Sequence, residues 1–227
     1  MSRGLGDVYK RQDQQGRIMT QKERIVEQTM RMFATQGIKA VRMDDIARQL
    51  GVSKRTLYEL FGDKEGLLYL ALNCYFEHTR RRREALTEGA RNVLEALFMV
   101  LTDVLDSAGE ANRMLDNLRK FYPAVYDRYT KEGTAKTRSD FGKMLERGIA
   151  EGLFIDRFNM DLAITVLYYT ASAIVSRKDL LLPEGMTERE AFVQIISNFF
   201  RGIATARGLE LVDDYLKRYD PAHSRTK

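Results

Sequence analysis

The 227-residue chain contains one cysteine, three prolines, two histidines and no tryptophan. Its single thiol, Cys74, excludes an internal disulfide and indicates a reducing compartment, which favours a cytoplasmic protein. Because proline is scarce and helix formers dominate, we expect an all-α fold. The sequence also has no secretory signal and no apolar run of the ~20 residues that span a bilayer, so we expect no membrane partner.

Side chains that commonly catalyse reactions are equally sparse. His78 and His223 are the two histidines, and Cys74 precedes His78 by one helical turn. Two such groups are too few for a zinc site, and nothing indicates a lowered pKa for the thiol. We find no phosphate-binding glycine loop and no nucleophile elbow. The sequence therefore predicts no enzyme, no cofactor and no metal.

Composition and charge set few limits. Hydrophobic residues make up 44% and charged residues 30% of the chain, and the net charge is +5 at pH 7. These values are ordinary for a globular protein, and the charge only permits a nucleic-acid partner. Residues 1–18 show no periodicity, and we interpret them as a non-native leader before Met19 or as a disordered basic arm. Residues 220–227 are predicted to be a polar tail.

Met43–Phe61 carries the strongest local pattern. Its spacing predicts two short helices joined at Gly51, where glycine permits the positive φ of a tight turn. The inward-facing residues are Ile46, Leu50, Val52, Leu57 and Leu60. This arrangement predicts a helix-turn-helix whose second helix, Ser53–Phe61, enters the DNA major groove. A plain helical hairpin would show the same apolar spacing. We expect Asp44 to cap the first of the two helices.

The outer face of the second helix is rich in hydrogen-bonding groups. Arg55 is placed to bond a guanine bidentately, whereas Tyr58 and Lys64 are better placed for phosphates. The predicted DNA-binding residues are Ser53, Lys54, Arg55, Thr56, Tyr58 and Lys64. The alternative is a solvated helix face. For the run Arg80–Arg83, which lies too far along the next helix, we expect a solvated face or pairing between helices.

Helical periodicity continues beyond this motif. Predicted helices cover Lys64–Gly89, Asn92–Ala108, Arg113–Tyr122, Ala124–Tyr129, Lys136–Glu151, Met160–Leu180, Glu188–Ile203 and Glu210–Tyr219. The Met160–Leu180 and Glu188–Ile203 helices have more apolar surface than one core requires. Pairing with their symmetry mates would give a four-helix bundle, and a two-fold homodimer suits a palindromic operator in double-stranded DNA.

These features together resemble the tetracycline-repressor (TetR/AcrR) family of bacterial transcription regulators. The resemblance covers Thr20–Leu72. It rests on Phe33, Gly37, Ile46, Ala47, Gly51, Val52, Ser53, Leu57, Tyr58, Phe61, Lys64 and Leu67. The chain departs from the family pattern where Met43 replaces a common Thr and Leu60 replaces a common His, and each change removes one expected phosphate contact.

The resemblance implies a two-part architecture. It comprises a three-helix helix-turn-helix DNA-binding domain over residues 19–66 and a helical ligand-binding and dimerisation domain over residues 67–219. In this family the middle helices enclose a cavity, here for an unknown small apolar ligand. The residues that could line it are Phe98, Met114, Leu118, Phe121, Tyr122, Tyr126, Phe141, Leu145, Tyr168 and Tyr169. Ordinary core packing is the alternative for each of them.

The function that follows is a sequence-specific DNA-binding regulator, interpreted as a ligand-responsive, homodimeric repressor. Two alternatives remain open. One is a structural or division-control factor of the same fold that binds DNA without a small ligand. The other is an all-α ligand-binding protein that does not bind DNA.

Overall fold

The computed structural model describes residues 19–176 and 182–219, so the predicted leader and tail lie outside the described residues. The described part is all-α, which confirms the predicted fold class. Its helices are α1 (Gln21–Gln36), α2 (Met43–Leu50), α3 (Lys54–Phe61), α4 (Lys64–Thr87), α5 (Val93–Asp106), α6 (Ala108–Phe121), α7 (Pro123–Ala150), α8 (Met160–Ser176), α9 (Glu188–Ile203) and α10 (Ala206–Tyr219). None of these helices is long and apolar enough to cross a bilayer.

The chain forms two compact units. The first contains residues 19–78 and 117–129, and the second contains residues 79–116 and the described residues from 130 onward. Helices α4, α6 and α7 contribute residues to both units. The segment Asn117–Tyr129, which the sequence assigns to the ligand-binding domain, thus groups with the helix-turn-helix. The predicted boundary near residue 66 itself stays a prediction.

The first unit begins with a capped helix, α1. Thr20 and Glu23 form a capping box at the start of α1, and Gly37 ends that helix with a positive φ of 86°. The side chains of Ile25, Ile46 and Leu57 are fully buried. Burying an aliphatic side chain of this size stabilises a fold by about 1.5–3 kcal/mol, so these residues hold α1, α2 and α3 together.

The core of the second unit is aromatic. Phe98 stacks on Tyr215 with ring centroids 3.6 Å apart and meets Phe200 edge-on at 5.5 Å. Phe154 stacks on Phe200 at 5.8 Å. A Cβ at Gly148 would lie 2.2 Å from the Phe154 ring, so only glycine lets α7 approach it. This close packing joins α5, α7, α9 and α10.

The structure corrects two predicted helices. Residues 123–150 form one uninterrupted helix, α7, where the sequence predicts two pieces separated near residue 130. Pro123 occupies the first helical position, where its missing N–H is not needed. The helix continues past Gly133 and carries Thr134, whose hydroxyl bonds that of Tyr168 at 2.8 Å. Helix α6 begins at Ala108 rather than Arg113, and the Ala111 N–H donates to the Ser107 carbonyl at 3.3 Å in its first turn.

Candidate nucleic-acid interface

The turn between α2 and α3 has the geometry that a helix-turn-helix requires. Gly51 lies in the left-handed region with φ 64° and ψ 34°, which an L side chain adopts only with strain. The Val52 N–H then donates to the Ala47 carbonyl at 3.0 Å. The Ser53 hydroxyl accepts from the Thr56 N–H at 3.0 Å and caps α3. These bonds fix the angle at which α3 leaves α2.

The predicted cap of α2 is wrong. Arg42, not Asp44, is the residue before the helix, and its N–H donates to the Asp45 carboxylate at 3.0 Å. The carboxylate of Asp45 takes this bond because it occupies the third helical position, from which a side chain can reach back. Asp44 is left to face α3, where its Oδ1 lies 2.8 Å from Lys54 Nζ.

The first half of α3 exposes two cations. Lys54 pairs with Asp44, and the hydrogen bond that its ammonium donates to that carboxylate raises the pKa of Lys54. Arg55 Nε donates to Glu59 Oε1 at 2.7 Å, and the Arg55 side chain is 88% exposed. Exposed pairs such as these contribute little free energy. Because these ion pairs are weak, Lys54 and Arg55 can each leave the carboxylate partner and bind DNA instead.

Neutral groups complete this surface. Tyr58 is 44% exposed, although its ring is large and apolar, and it lies one turn after Lys54. The Ser53 and Thr56 hydroxyls lie 2.8 Å apart at the beginning of α3. Five of the six predicted DNA-binding residues thus lie on one helix with its capping residue, and their side chains are exposed or half-buried.

Lys64 lies in a different environment from the other five. Its Nζ donates to the Ile38 carbonyl at 2.6 Å and lies near two aromatic rings, those of Phe33 and Tyr122. In this conformation the ammonium faces protein rather than solvent. Its predicted phosphate contact stays a prediction, and the geometry suggests a different role for the residue.

The two departures from the family pattern have structural explanations. Met43 is only 6% exposed and packs in the core, so a thioether side chain replaces a surface hydroxyl. Leu60 is half-buried beside the buried Phe61. Both substitutions strengthen apolar packing at positions where the family commonly has a polar side chain.

The ten predicted pocket residues do not form one group. Leu118, Phe121, Tyr122 and Tyr126 belong to the first unit, and the other six belong to the second. In the second unit Phe98, Phe141 and Leu145 are buried in the core, whereas Tyr169 is 63% exposed. Met114 and Tyr168 are half-buried. The pocket as a whole stays a prediction.

The remaining charged clusters have structural partners. Arg82 and Arg83 both donate to Asp103 Oδ2, at 2.8 and 2.9 Å, and Arg80 lies 3.4 Å from Asp140. Three of the four arginines, Arg80, Arg82 and Arg83, thus pair between helices, one of the two expected outcomes. Within residues 19–176 and 182–219, no three His, Cys, Asp or Glu side chains are grouped to hold a metal ion.

Sequence reasoning missed two features of the interface. The Asp44–Lys54 pair was hidden because both residues also fit ordinary cap and surface positions. The contacts of Phe121 and Tyr122 with lysines of the first unit were missed because aromatic residues in middle helices were interpreted as pocket lining. The one available signal was the sequence Lys120-Phe121-Tyr122-Pro123, which places two aromatic rings at a helix junction.

A tight turn followed by a capped helix that exposes Lys54, Arg55 and Tyr58 defines the helix-turn-helix class of DNA-binding proteins. The family model for bacterial regulatory proteins of the TetR family matches residues 25–69. The repressor KstR2 of Rhodococcus jostii (strain RHA1) is 26% identical over 144 residues, which are 62% of this chain and 71% of that protein. The chain is a DNA-binding transcriptional regulator, and its helix-turn-helix region is of the TetR type.

Solved structures show the same fold. A TetR-family regulator from Pectobacterium atrosepticum superposes with a TM-score of 0.63 and 18% identity, over 81% of this chain and 94% of that one. The TetR-family regulator CifR, solved as a cysteine mutant with a 26-base-pair operator duplex, superposes with a TM-score of 0.55 and 18% identity. That match covers 81% of this chain and 99% of CifR.

Proposed function

We propose that this regulator is a repressor that binds a palindromic operator as a homodimer and places one α3 in each major groove. The observation that carries this proposal is the exposed face of α3, on which Lys54, Arg55 and Tyr58 lie beside a capped N-terminus. A helix of this class reads bases with its N-terminal residues. The matched KstR2 is a repressor by name, and CifR was solved on operator DNA.

Each predicted contact has a stated task. Arg55 reads a guanine bidentately through O6 and N7, which discriminates against other bases. Lys54 and Thr56 reach neighbouring base edges, and Ser53 and Tyr58 bond phosphates. In the free protein the Arg55 guanidinium donates to the Glu59 carboxylate. When DNA binds, the guanine replaces Glu59 as the partner of Arg55.

The homodimer would form through α8 and α9. The α8 stripe, Leu162, Val166 and Tyr169, repeats at helical spacing and is 59%, 43% and 63% exposed. Ile195 on α9 is 39% exposed. A two-fold axis beside these helices would bury the stripe against its own copy, because a two-fold interface uses the same patch twice. Two recognition helices about 34–36 Å apart would then meet successive turns of DNA.

A small apolar ligand in the second unit would release the operator. Helices α4, α6 and α7 contribute residues to both units, so they offer a covalent connection between a ligand site and the helix-turn-helix. Such coupling requires that the ligand prefer the conformation with lower DNA affinity. We infer that the protein acts in the cytoplasm, where chromosomal DNA is accessible.

Selection of bound fragments from genomic DNA of the source organism tests this proposal. We expect the full-length protein to enrich a short palindrome and to bind it much more tightly than a scrambled duplex. The same selection with Arg55→Ala should lose preference at one base pair in each half-site. Failure of the wild-type protein to enrich any sequence would contradict the proposal.

A further inference from the structure

Lys64 lies in an environment built from four segments of the first unit. Its side chain begins at the N-terminus of α4 and reaches the connector after α1, where Nζ donates to the Ile38 carbonyl at 2.6 Å. The same Nζ lies 5.9 Å from the centroid of the Phe33 ring on α1. It lies 5.4 Å from the Tyr122 ring, at the junction of α6 and α7. We name this arrangement the Lys64 cage.

Two further cation–aromatic contacts hold the α6–α7 junction within the first unit. Lys39 Nζ lies 4.5 Å from the centroid of the Phe121 ring, and Lys39 directly follows Ile38 in the connector. The Arg128 guanidinium lies 3.7 Å from the centroid of the Tyr69 ring on α4. Cations over aromatic faces attract the ring quadrupole, most strongly when they are partly desolvated. Three separate contacts therefore hold the junction against α4 and the connector.

The surroundings of Lys64 argue against a direct phosphate contact. Its ammonium is half-buried, and a carbonyl oxygen with two aromatic faces already compensates the charge. Reaching a phosphate would require the side chain to leave all three groups. Lys54, by comparison, is 54% exposed and pairs with a single carboxylate. The two lysines thus differ in what they must give up to bind DNA.

We propose that Lys64 is a positioning residue whose cage with Tyr122 sets the orientation of the helix-turn-helix and transmits the state of the α6–α7 junction to it. This inference rests on the proposed function, because it concerns how operator affinity is set. When Tyr122 holds the ammonium, the connector and the beginning of α4 are fixed together. A shift of α6 or α7 that withdraws the ring weakens this attachment and lowers operator affinity.

The salt dependence of operator binding distinguishes a positioning role from a phosphate contact. Each neutralised phosphate contributes about 0.9 to the slope of log K against log salt concentration. For full-length Lys64→Met on the selected operator, we expect affinity about three- to tenfold below wild type with an unchanged slope. Lys54→Met is the matched control, because it removes an exposed cation that lies close to the phosphates even when it contacts a base edge, so its slope should fall by up to about 0.9. A similar fall for Lys64→Met would overturn the inference.

Variants of the Tyr122 ring test the same claim without changing a lysine. Tyr122→Leu should reduce affinity by about the same factor as Lys64→Met, and the double variant should show little further loss. Tyr122→Phe keeps the aromatic face and should bind like wild type. Full affinity for Tyr122→Leu, or additive losses in the double variant, would contradict the cage.

Controls keep the two claims separate. Circular dichroism at the assay temperature should show native helicity for every variant, and if Lys64→Met is less helical the Tyr122 pair decides the question. If wild-type protein binds no operator, the proposed function fails. If wild type binds and Lys64→Met changes the slope, only the cage fails.

Discussion

Lys54 and Lys64 begin successive helices, but their ammonium groups have opposite surroundings. Lys54 Nζ lies 2.8 Å from the exposed carboxylate of Asp44, whereas Lys64 Nζ is half-buried against the Ile38 carbonyl. The cation of an exposed ion pair readily takes another anion as its partner, whereas a cation held among several protein groups does not. The comparison teaches that a lysine's position in the sequence motif does not determine whether it contacts DNA. The groups that surround its ammonium in the folded chain determine this.

The largest expected effect comes from the assembly that brings two α3 helices to DNA together. We expect Val166→Glu to place like charges across the proposed α8 interface and to convert the proposed dimer to monomers, as measured by analytical ultracentrifugation. Loss of the second half-site should lower operator affinity by roughly a hundredfold, because linked binding sites raise avidity by that order.

Leu86→Glu provides the matched control, since Leu86 is 42% exposed and lies outside the α8 stripe. It should remain dimeric with normal operator affinity. If Val166→Glu also remained dimeric, the α8 stripe would not be the interface.

The next effect concerns the most exposed cation of α3. Arg55→Ala should lower operator affinity by about ten- to hundredfold and relax the preference at one base pair, because a bidentate guanine contact is worth about 1–3 kcal/mol. Fluorescence anisotropy with operators substituted at each position measures both results. Arg147→Ala is the control, since Arg147 also pairs with a glutamate one turn later in its helix. Uniform weakening across all operator sequences would instead place Arg55 on phosphate.

A gain of affinity is expected when Arg55 loses its resting partner. Glu59→Gln removes the carboxylate that accepts from Arg55 Nε and also one negative charge facing DNA. We expect operator affinity to rise about two- to fivefold at low salt, with a smaller gain at high salt because screening weakens the removed repulsion. Glu88→Gln makes the same change of charge at an exposed site of the second unit. Reduced affinity for Glu59→Gln would indicate that Glu59 itself accepts a bond from cytosine.

The smallest effect is expected at the partner of Lys54. Asp44→Asn removes an exposed ion pair and should change the free energy of unfolding by less than about 1 kcal/mol, as urea titration would show. Operator affinity should rise by no more than about twofold. A loss of affinity would indicate that Asp44 positions Lys54 for DNA rather than only neutralising it.

Much of the first unit could be predicted from sequence because its rules are local. The capping box at Thr20, the left-handed Gly51 and the cap at Ser53 depend on residues within a few positions. The Asp44 cap was predicted wrongly for an equally local reason. The helix begins before Asp44, so Asp45 at the third helical position, rather than Asp44, bonds the residue that precedes the helix.

What sequence could not provide are contacts between distant segments. Lys64 and Ile38 are separated by 26 positions, and Tyr122 lies in a helix that the pattern assigns to a ligand pocket. The continuity of α7 was missed because its middle lacks an apolar stripe, although hydroxyl contacts such as Thr134 with Tyr168 hold it. Periodicity reports burial along one helix and does not report which helix supplies the partner.

Sequence-specific DNA binding by α3 is the central claim, and a competition titration tests it most directly. Wild-type protein bound to the selected palindrome would be challenged with a scrambled duplex of equal length at physiological salt. We predict at least about a thousandfold preference for the palindrome, as specific regulators show, and a much smaller preference for Arg55→Ala. Equal binding of both duplexes by the wild-type protein would contradict the account.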